Sequence, residues 1–297
     1  MWGVTGPCDA PRIMRALLLW TLVAAHVTAC DRSTPPPETP PATAPAPVSS
    51  TPVPAEPEPQ DAPIAAAVRP VAGEVAYVER ILGNAKPEDT LPMIIAIHGL
   101  GDDPDNFAHL FDTYAGTARL ILPQGIDATE DGGWSWFPIR ARSNDVEGLA
   151  GGIQASADKL AVAIATLRES RPTQGDPIVT GFSQGGMLTF TLAVHHPDQV
   201  GFAIPVGGWL PPPLWPDSGP TAAHPDVVAL HGTADNAVRY EPTKEAIDAL
   251  VAQGYSVTLK SYEGVRHAIP PQERTDLFDL LDDALATARG EAPKRAP

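Results

Sequence analysis

The stretch VTGFSQGGMLTF, from Val179 to Phe190, constrains the fold of this chain more than any other. An apolar strand pattern precedes a single serine, and an apolar helix pattern follows it. Gly181, Ser183 and Gly185 have the G-x-S-x-G spacing of a serine nucleophile held on a sharp turn from strand to helix. Both glycines are needed because a Cβ there would collide with the neighbouring strand or helix. Three fixed residues occur by chance in about one chain of this length in ten, so other parts of the sequence must support the motif.

Apolar runs alternate with helical patterns over most of the chain, which predicts an α/β fold. Strands are predicted at MIIAIHGLG, RLILPQG, DPIVTGF, FAIPVGG, DVVALHG and SVTLKSY. Helices are predicted at about 152–170, 184–196 and 243–253 and near the C-terminus. This alternation predicts a mostly parallel central sheet with helices on both faces. Functional residues of such sheets follow the carboxyl ends of the strands.

An aspartate and then a histidine follow later strands, which is the chain order typical of a nucleophilic serine on such a turn. Asp235 lies on the loop after DVVALHG, and His267 lies between the last strand and the last helix. Where the nucleophile sits on a strand-to-helix turn, Asp and then His follow it along the chain. We therefore predict Ser183 as the nucleophile, His267 as the general base and Asp235 as the carboxylate that orients the base.

Each of these three residues also has a simpler interpretation. Ser183 could be an ordinary loop serine, Asp235 a turn residue and His267 a surface histidine. Asp217 and Asp226 are rival carboxylates, although neither lies in a matching motif. The argument for the triad is therefore the combination of order and position rather than any single residue.

Stabilising a developing oxyanion requires two backbone N–H groups that face it. The first is predicted at Gln184, directly after the nucleophile. The second is predicted at Leu100, in the loop HGLGDD that follows the first predicted strand. Glycines on both sides of Leu100 would let this backbone approach the substrate closely.

The globular part of the chain resembles the carboxylesterase and acyl-protein thioesterase/lysophospholipase family of α/β-hydrolases. The matching runs are HGLGD, WSWF, GFSQGG, WLP, HGTAD and VTLKSYEGVRH, in the family's order from about residue 93 to 285. The resemblance implies an α/β-hydrolase fold, a small-molecule ester as substrate and no cofactor. It also implies the same triad and the same two oxyanion donors.

The resemblance further implies an acyl pocket lined by Trp136, Trp209 and Leu210. The alternative for Trp136 is an ordinary place in the core. Two features depart from the family's pattern: Asn236 stands where proline is frequent, and the segment PVGGWLPPPLWPDSGP is rich in Pro and Trp. The departures leave the triad intact and bear on the substrate.

The N-terminal residues predict export. Arg12 and Arg15 precede a mostly apolar run, ALLLWTLVAAHVTAC, that ends at Cys30. The run is short for a membrane span and is typical of a secretory signal, which could start at Met1 or at Met14. Its end, VTAC, resembles the lipobox of bacterial lipoproteins, in which the cysteine is lipidated. The alternatives are an ordinary cleaved signal and a buried helix of a cytosolic protein.

A proline-rich segment follows this signal. Residues 31–63 contain 12 prolines, and at about 3.1 Å per residue such a tether reaches roughly 100 Å. We predict a signal peptide at 1–29, a disordered tether at 30–70, a catalytic domain at 71–290 and a disordered tail at 291–297. The protein would be held at a cell-envelope membrane through lipidated Cys30, or otherwise be secreted or periplasmic.

Charge and cysteine content exclude several classes of function. A net charge of −16 argues against nucleic acid as a partner. The only cysteines are Cys8 and Cys30, so the predicted catalytic domain has no disulfide, thiolate metal site or cysteine nucleophile. No residue spacing there indicates a metal site.

The sequence thus predicts a serine hydrolase that cleaves carboxylic esters through an acyl-enzyme. Thioesters and lysophospholipids would react by the same chemistry and stay open as substrates. Two alternatives remain beside this prediction: a lipoprotein that binds a ligand without turning it over, and an esterase for polymeric or feruloyl-type substrates.

Overall fold

Eight strands form one central sheet in the computed structural model, which describes residues 68–221 and 223–293. In chain order they are β1 (Val71–Ala72), β2 (Val75–Leu82), β3 (Met93–Ile97), β4 (Ala118–Pro123), β7 (Ile178–Phe182), β8 (Phe202–Val206), β9 (Asp226–Gly232) and β10 (Val257–Tyr262). A separate two-stranded sheet pairs β5 (Asp127–Ala128) with β6 (Trp134–Ser135). The spatial order of the central sheet is β1-β2-β4-β3-β7-β8-β9-β10. Strands β3, β4 and β7–β10 run parallel, whereas β2 is antiparallel to both of its neighbours.

Helices cover both faces of this sheet. They are α1 (Pro104–Phe107), α2 (Val146–Ser170), α3 (Gln184–His195), α4 (Tyr240–Ala252) and α5 (Pro271–Ala288), with short 3-10 turns at Ala108–Phe111, Pro197–Gln199 and Pro212–Leu214. Helices α2, α3 and α4 pack on one face, and α1 and α5 pack on the other.

The residues of β3 illustrate how the two-sided core forms. All five are buried; Met93, Ile95 and Ile97 pack toward α2–α4, while Ile94 and Ala96 pack toward α1 and α5. Because side chains alternate along a strand, a sheet covered on both sides requires apolar residues at every position. The same requirement explains the unbroken apolar run in this part of the sequence.

The predicted mostly parallel sheet with helices on both faces is confirmed, and the differences are local. The sequence patterns missed β2, an antiparallel strand next to the edge strand β1. Buried and half-buried residues alternate only over its first four positions, and the last four residues are all half-buried. Helix α2 begins at Val146 rather than near 152, because the Asp145 carboxylate accepts the Gly148 N–H and caps an earlier turn.

Residues 1–67, with the predicted signal peptide, Cys30 and most of the predicted tether, lie outside the described residues, as does the end of the predicted tail from 294 on. Within 68–221 and 223–293, no helix combines the length and the apolar character needed to cross a bilayer.

Candidate active site

The turn from β7 into α3 holds Ser183 in an unusual backbone conformation. Its φ is 59° and its ψ is −114°, and among the described residues it is the only non-glycine with positive φ. A Cβ at Gly185 would overlap the carbonyl oxygen of Ile97, and a Cβ at Gly181 would lie 2.6 Å from the carbonyl carbon of Gly185. The two glycines therefore let α3 start directly against the sheet, with the serine at the corner.

His267 bridges Ser183 and Asp235. Its Nε2 lies 2.9 Å from Ser183 Oγ, and its Nδ1 lies 2.6 Å from Asp235 Oδ2. These partners imply that Nδ1–H donates to the carboxylate while Nε2 accepts the serine hydroxyl. The His267 ring also stacks on Phe182, with centroids 4.6 Å apart. The loop between β10 and α5 thus brings the histidine to the two residues that the sequence predicted as its partners.

The carboxylate of Asp235 is buried and hydrogen-bonded on both oxygens. Oδ1 accepts the N–H groups of Ala237 at 2.8 Å and Val238 at 3.0 Å. Burial by itself would raise the pKa of Asp235, but contacts from His231 and His267 outweigh it and hold the pKa below its usual range. Asp235 is therefore ionised at neutral pH and able to orient the histidine.

His231 reaches Asp235 mainly through Val238. Its Nε2 donates to the Val238 carbonyl at 2.9 Å and lies 3.5 Å from Asp235 Oδ2, whereas its buried Nδ1 has no partner among the described residues. The rival carboxylates are elsewhere: Asp226 is exposed at the start of β9, and Asp217 is exposed on a loop.

Leu100 and Gln184, the two predicted oxyanion donors, line the same pocket as Ser183. The side chain of Gln184 is anchored away from its backbone: Oε1 accepts the Trp136 N–H at 2.9 Å, and Nε2 donates to the Phe137 carbonyl at 2.8 Å. Its main-chain N–H belongs to the first turn of α3, where helix N–H groups have no intrahelical acceptor.

His98 links the Leu100 loop to the segment that follows β4. Its Nδ1 donates to the Gly99 carbonyl at 2.7 Å, and its Nε2 accepts the Gly125 N–H at 3.0 Å. Burial lowers the pKa of His98, so the ring is neutral. Both nitrogens are occupied by backbone groups, which makes this histidine a support for the loop.

The pocket at Ser183 has a volume of about 110 Å³. Its walls come from the Leu100 loop, the segment before α2, the first turns of α3 and the loop after β9. The lining residues are Leu100, Arg140, Ala141, Arg142, Ser183, Gln184, Met187, Ala237 and Val238.

The three residues predicted to line an acyl pocket lie outside this lining. Trp136 is 2% exposed, and its Nε1 donates to the His98 carbonyl at 3.0 Å, beneath the Leu100 loop. Leu210 is fully buried in the core, and Trp209 packs against the same core with its Nε1 buried and unpartnered. These large apolar side chains belong to the core beneath the α2–α4 face or pack against it, and their role in an acyl pocket stays a prediction.

The sequence patterns missed six of the lining residues, which are Arg140, Ala141, Arg142, Met187, Ala237 and Val238. The two arginines stand in the segment FPIRARSN, and their alternation in a loop before a helix is a signal that could have been noticed. Among residues 68–221 and 223–293, no group of His, Cys, Asp and Glu side chains is arranged to hold a metal ion.

Comparison with known families agrees with this geometry. The model of a family described as phospholipase/carboxylesterase matches residues 79–284. The chain belongs to this family. It contains carboxylesterase- and acyl-protein-thioesterase-type serine hydrolases, so the family predicted from the sequence motifs is confirmed.

Relatives and solved structures extend the likeness. A probable carboxylesterase from Oryza sativa subsp. japonica is 29% identical over 160 residues, which are 52% of this chain and 60% of that protein. Acyl-protein thioesterase 1 from Gibberella zeae is 26% identical over 221 residues, 68% of this chain and 91% of that protein. The crystal structure of esterase PE8 superposes with a TM-score of 0.61 at 20% identity, covering 71% of this chain and 99% of that one. Acyl-protein thioesterase 2 from Zea mays has a TM-score of 0.54 at 24% identity, covering 70% and 99%. These structures establish the α/β-hydrolase fold.

Proposed function

We propose that this chain is a serine hydrolase that cleaves carboxylic esters, with Ser183, His267 and Asp235 as its triad. The observation that carries the proposal is the position of His267, with one ring nitrogen 2.9 Å from Ser183 Oγ and the other 2.6 Å from Asp235. A serine, a base and an orienting carboxylate in hydrogen-bonded series are the requirements for an activated nucleophile.

In the proposed acylation step, Ser183 Oγ attacks the ester carbonyl carbon while its proton passes to His267 Nε2. Ionised Asp235 stabilises the imidazolium that forms. The N–H groups of Leu100 and Gln184 stabilise the oxyanion. The C–O bond to the alcohol then breaks, and the alcohol leaves with the proton from His267.

In the deacylation step, water gives a proton to His267 Nε2 and attacks the acyl-enzyme carbonyl. The second tetrahedral intermediate collapses, the acid leaves and Ser183 recovers its proton. A thioester, the bond that acyl-protein thioesterase 1 of Gibberella zeae and of Debaryomyces hansenii is named for, would react through the same steps with a thiol as leaving group.

The size of the pocket favours short acyl groups. Sites for drug-sized ligands occupy roughly 300–1,000 Å³, whereas the volume beside Ser183 is about 110 Å³. We therefore expect acetyl to butyryl esters to be cleaved with higher kcat/KM than palmitoyl esters. None of the lining residues comes from the Pro- and Trp-rich segment 205–220, so that segment lends no support to a feruloyl or polymer substrate.

Hydrolysis of p-nitrophenyl esters from acetate to palmitate by the full-length protein tests the proposal. Ser183→Ala should lower kcat by about 10⁴-fold or more, and Ser170→Ala, an exposed serine at the end of α2, should match the parent. Activity that survives in Ser183→Ala would refute the nucleophile. A folded parent protein that cleaves neither esters nor a butyryl thioester would favour ligand binding without turnover.

We also propose that lipidated Cys30 attaches the protein to a membrane. This proposal rests on the basic and apolar residues before Cys30 and the proline-rich segment after it. In a bacterial host, the parent protein should fractionate with membranes and Cys30→Ser should not. Equal fractionation of the two would contradict the anchor.

A further inference from the structure

Two arginines line the pocket that contains Ser183, and neither is paired with a carboxylate. Arg140 and Arg142 are exposed residues of the loop between β6 and α2. In the part of the chain that the structure describes, no ion pair includes either guanidinium. The next carboxylate along the chain, Asp145, caps α2 by accepting the Gly148 N–H at 2.9 Å.

Most of the other described lysines and arginines are paired. Nine other lysines and arginines form ion pairs with carboxylates. Four more of the 15 described lysines and arginines are outside these ion pairs. Lys86 and Arg274 do not belong to the pocket lining, whereas Arg239 follows the pocket residue Val238 and Arg266 precedes His267. Four of the six unpaired cations among the described residues therefore line this pocket or directly adjoin its loops, although the chain has a net charge of −16.

A cationic pocket on an acidic protein favours anionic ligands. The net negative charge repels an anion at long range, so a local positive field at the pocket is needed to draw it in. Arginine suits this task because its planar guanidinium donates two parallel hydrogen bonds to a carboxylate or a phosphate. Because the two arginines and Ser183 line the same pocket of about 110 Å³, an anionic group bound there would lie close to the scissile ester.

We propose that the substrate is an ester that carries a carboxylate or phosphate group near the scissile carbonyl, and that Arg140 and Arg142 bind this group. The inference rests on the hydrolase function proposed above and adds the chemical class of its substrate. The anionic group takes no part in bond breaking; it positions the ester carbonyl at Ser183.

Two matched pairs of substrates test the proposal with the full-length protein. One pair is the 4-nitrophenyl monoester of adipic acid and its neutral counterpart, 4-nitrophenyl methyl adipate. The other is 1-butyrylglycerol 3-phosphate and 1-butyrylglycerol. The measured quantity is the ratio of kcat/KM for the charged ester to that for the neutral ester, and the pair with the higher ratio distinguishes a carboxylate from a phosphate.

We expect a ratio of about ten for at least one pair, falling to near one in the double variant Arg140→Gln/Arg142→Gln. The fall should come from a higher KM for the charged ester, and added NaCl should lower the parent's ratio as well. Lys86→Gln is the control, because it removes an exposed positive charge from the loop after β2. That loop lies at the amino ends of the parallel strands, whereas Ser183 follows the carboxyl end of a strand, because the end of β2 pairs with the start of β4. The control should keep the parent ratio.

Three results would overturn the inference. Neutral esters cleaved as well as charged ones in both pairs would exclude an anionic substrate. A preference for charged esters that persists in the double variant would exclude the two arginines. No preference, combined with arginine-dependent binding to phosphatidylglycerol vesicles, would assign the positive loop to a membrane surface. If the parent cleaves no ester at all, the proposed function itself fails, which is a different outcome from each of these three.

Discussion

Ser183 combines a strained backbone with the proposed nucleophilic hydroxyl. Its φ of 59° and ψ of −114° lie in a backbone region that residues with a Cβ rarely occupy, because the strain costs about 1–3 kcal/mol. Ser183→Gly relieves this strain and Ser183→Ala retains it, while both lack the hydroxyl. We predict that Ser183→Gly is more stable to urea than Ser183→Ala by about 1 kcal/mol. Equal unfolding midpoints would show that the turn is relaxed around the serine.

His231 is predicted to position Asp235 without touching the substrate. Its Nε2 donates to the Val238 carbonyl, and the Val238 N–H in turn donates to Asp235. A glutamine at 231 can place a donor near the position of Nε2, whereas a leucine cannot. We expect His231→Leu to lower kcat by roughly ten- to a hundredfold and His231→Gln to recover most of that loss. Similar losses in both variants would contradict the role of the donor.

At the scale of elements, the first turn of α5 buries an acid next to the proposed triad. Glu273 is 1% exposed, and its Oε2 has no hydrogen-bond partner among the described residues. Burial, with the nearby carboxylates of Asp235 and Asp276, raises the pKa of Glu273 to about 7. Between the ordinary glutamate pKa and pH 7 the folded state therefore holds a proton that the unfolded state has released.

This proton makes stability depend on pH. Because the folded state binds more protons than the unfolded one, the free energy of unfolding decreases as pH rises through this window, by up to about 3 kcal/mol. Glu273→Gln removes the titrating group. We predict that the variant is more stable to urea than the parent at pH 8 and close to it at pH 5. A stability difference that is the same at both pH values would contradict this prediction. Asp235 does not interfere, since its lowered pKa keeps it ionised across this range.

On the scale of the whole molecule, net charge opposes compactness. A net charge of −16 makes the surface repel itself, and salt screens such repulsion because the Debye length is about 10 Å at 0.1 M. We predict that the Tm of the full-length protein rises by roughly 2–4 °C when NaCl increases from 10 to 200 mM. A falling Tm would mean that the ion pairs of the described surface contribute more than the repulsion costs.

The amino-acid sequence by itself determined the features that depend on near neighbours in the chain. The strand-to-helix turn at Ser183 follows from glycines within two residues, and the buried parallel strands follow from continuous apolar runs. The order of serine, aspartate and histidine could also be read directly, because each follows a strand and parallel strands end at one edge of the sheet. For these reasons the fold class and the three residues that the structure brings together were predictable.

Only the tertiary structure decided which side chains surround Ser183. Trp136 and Leu210 carry the apolar character expected of a pocket wall, yet packing directs them into the core. Arg140 and Arg142 line the pocket at Ser183 instead, from the loop that ends at the Asp145 cap of α2. The buried Glu273 likewise depends on the way α5 docks beside the loop of Asp235. Such contacts join residues that are far apart in the chain. Local sequence patterns cannot predict which of these contacts form, because they contribute to stability only when the whole sheet and its helices have packed together.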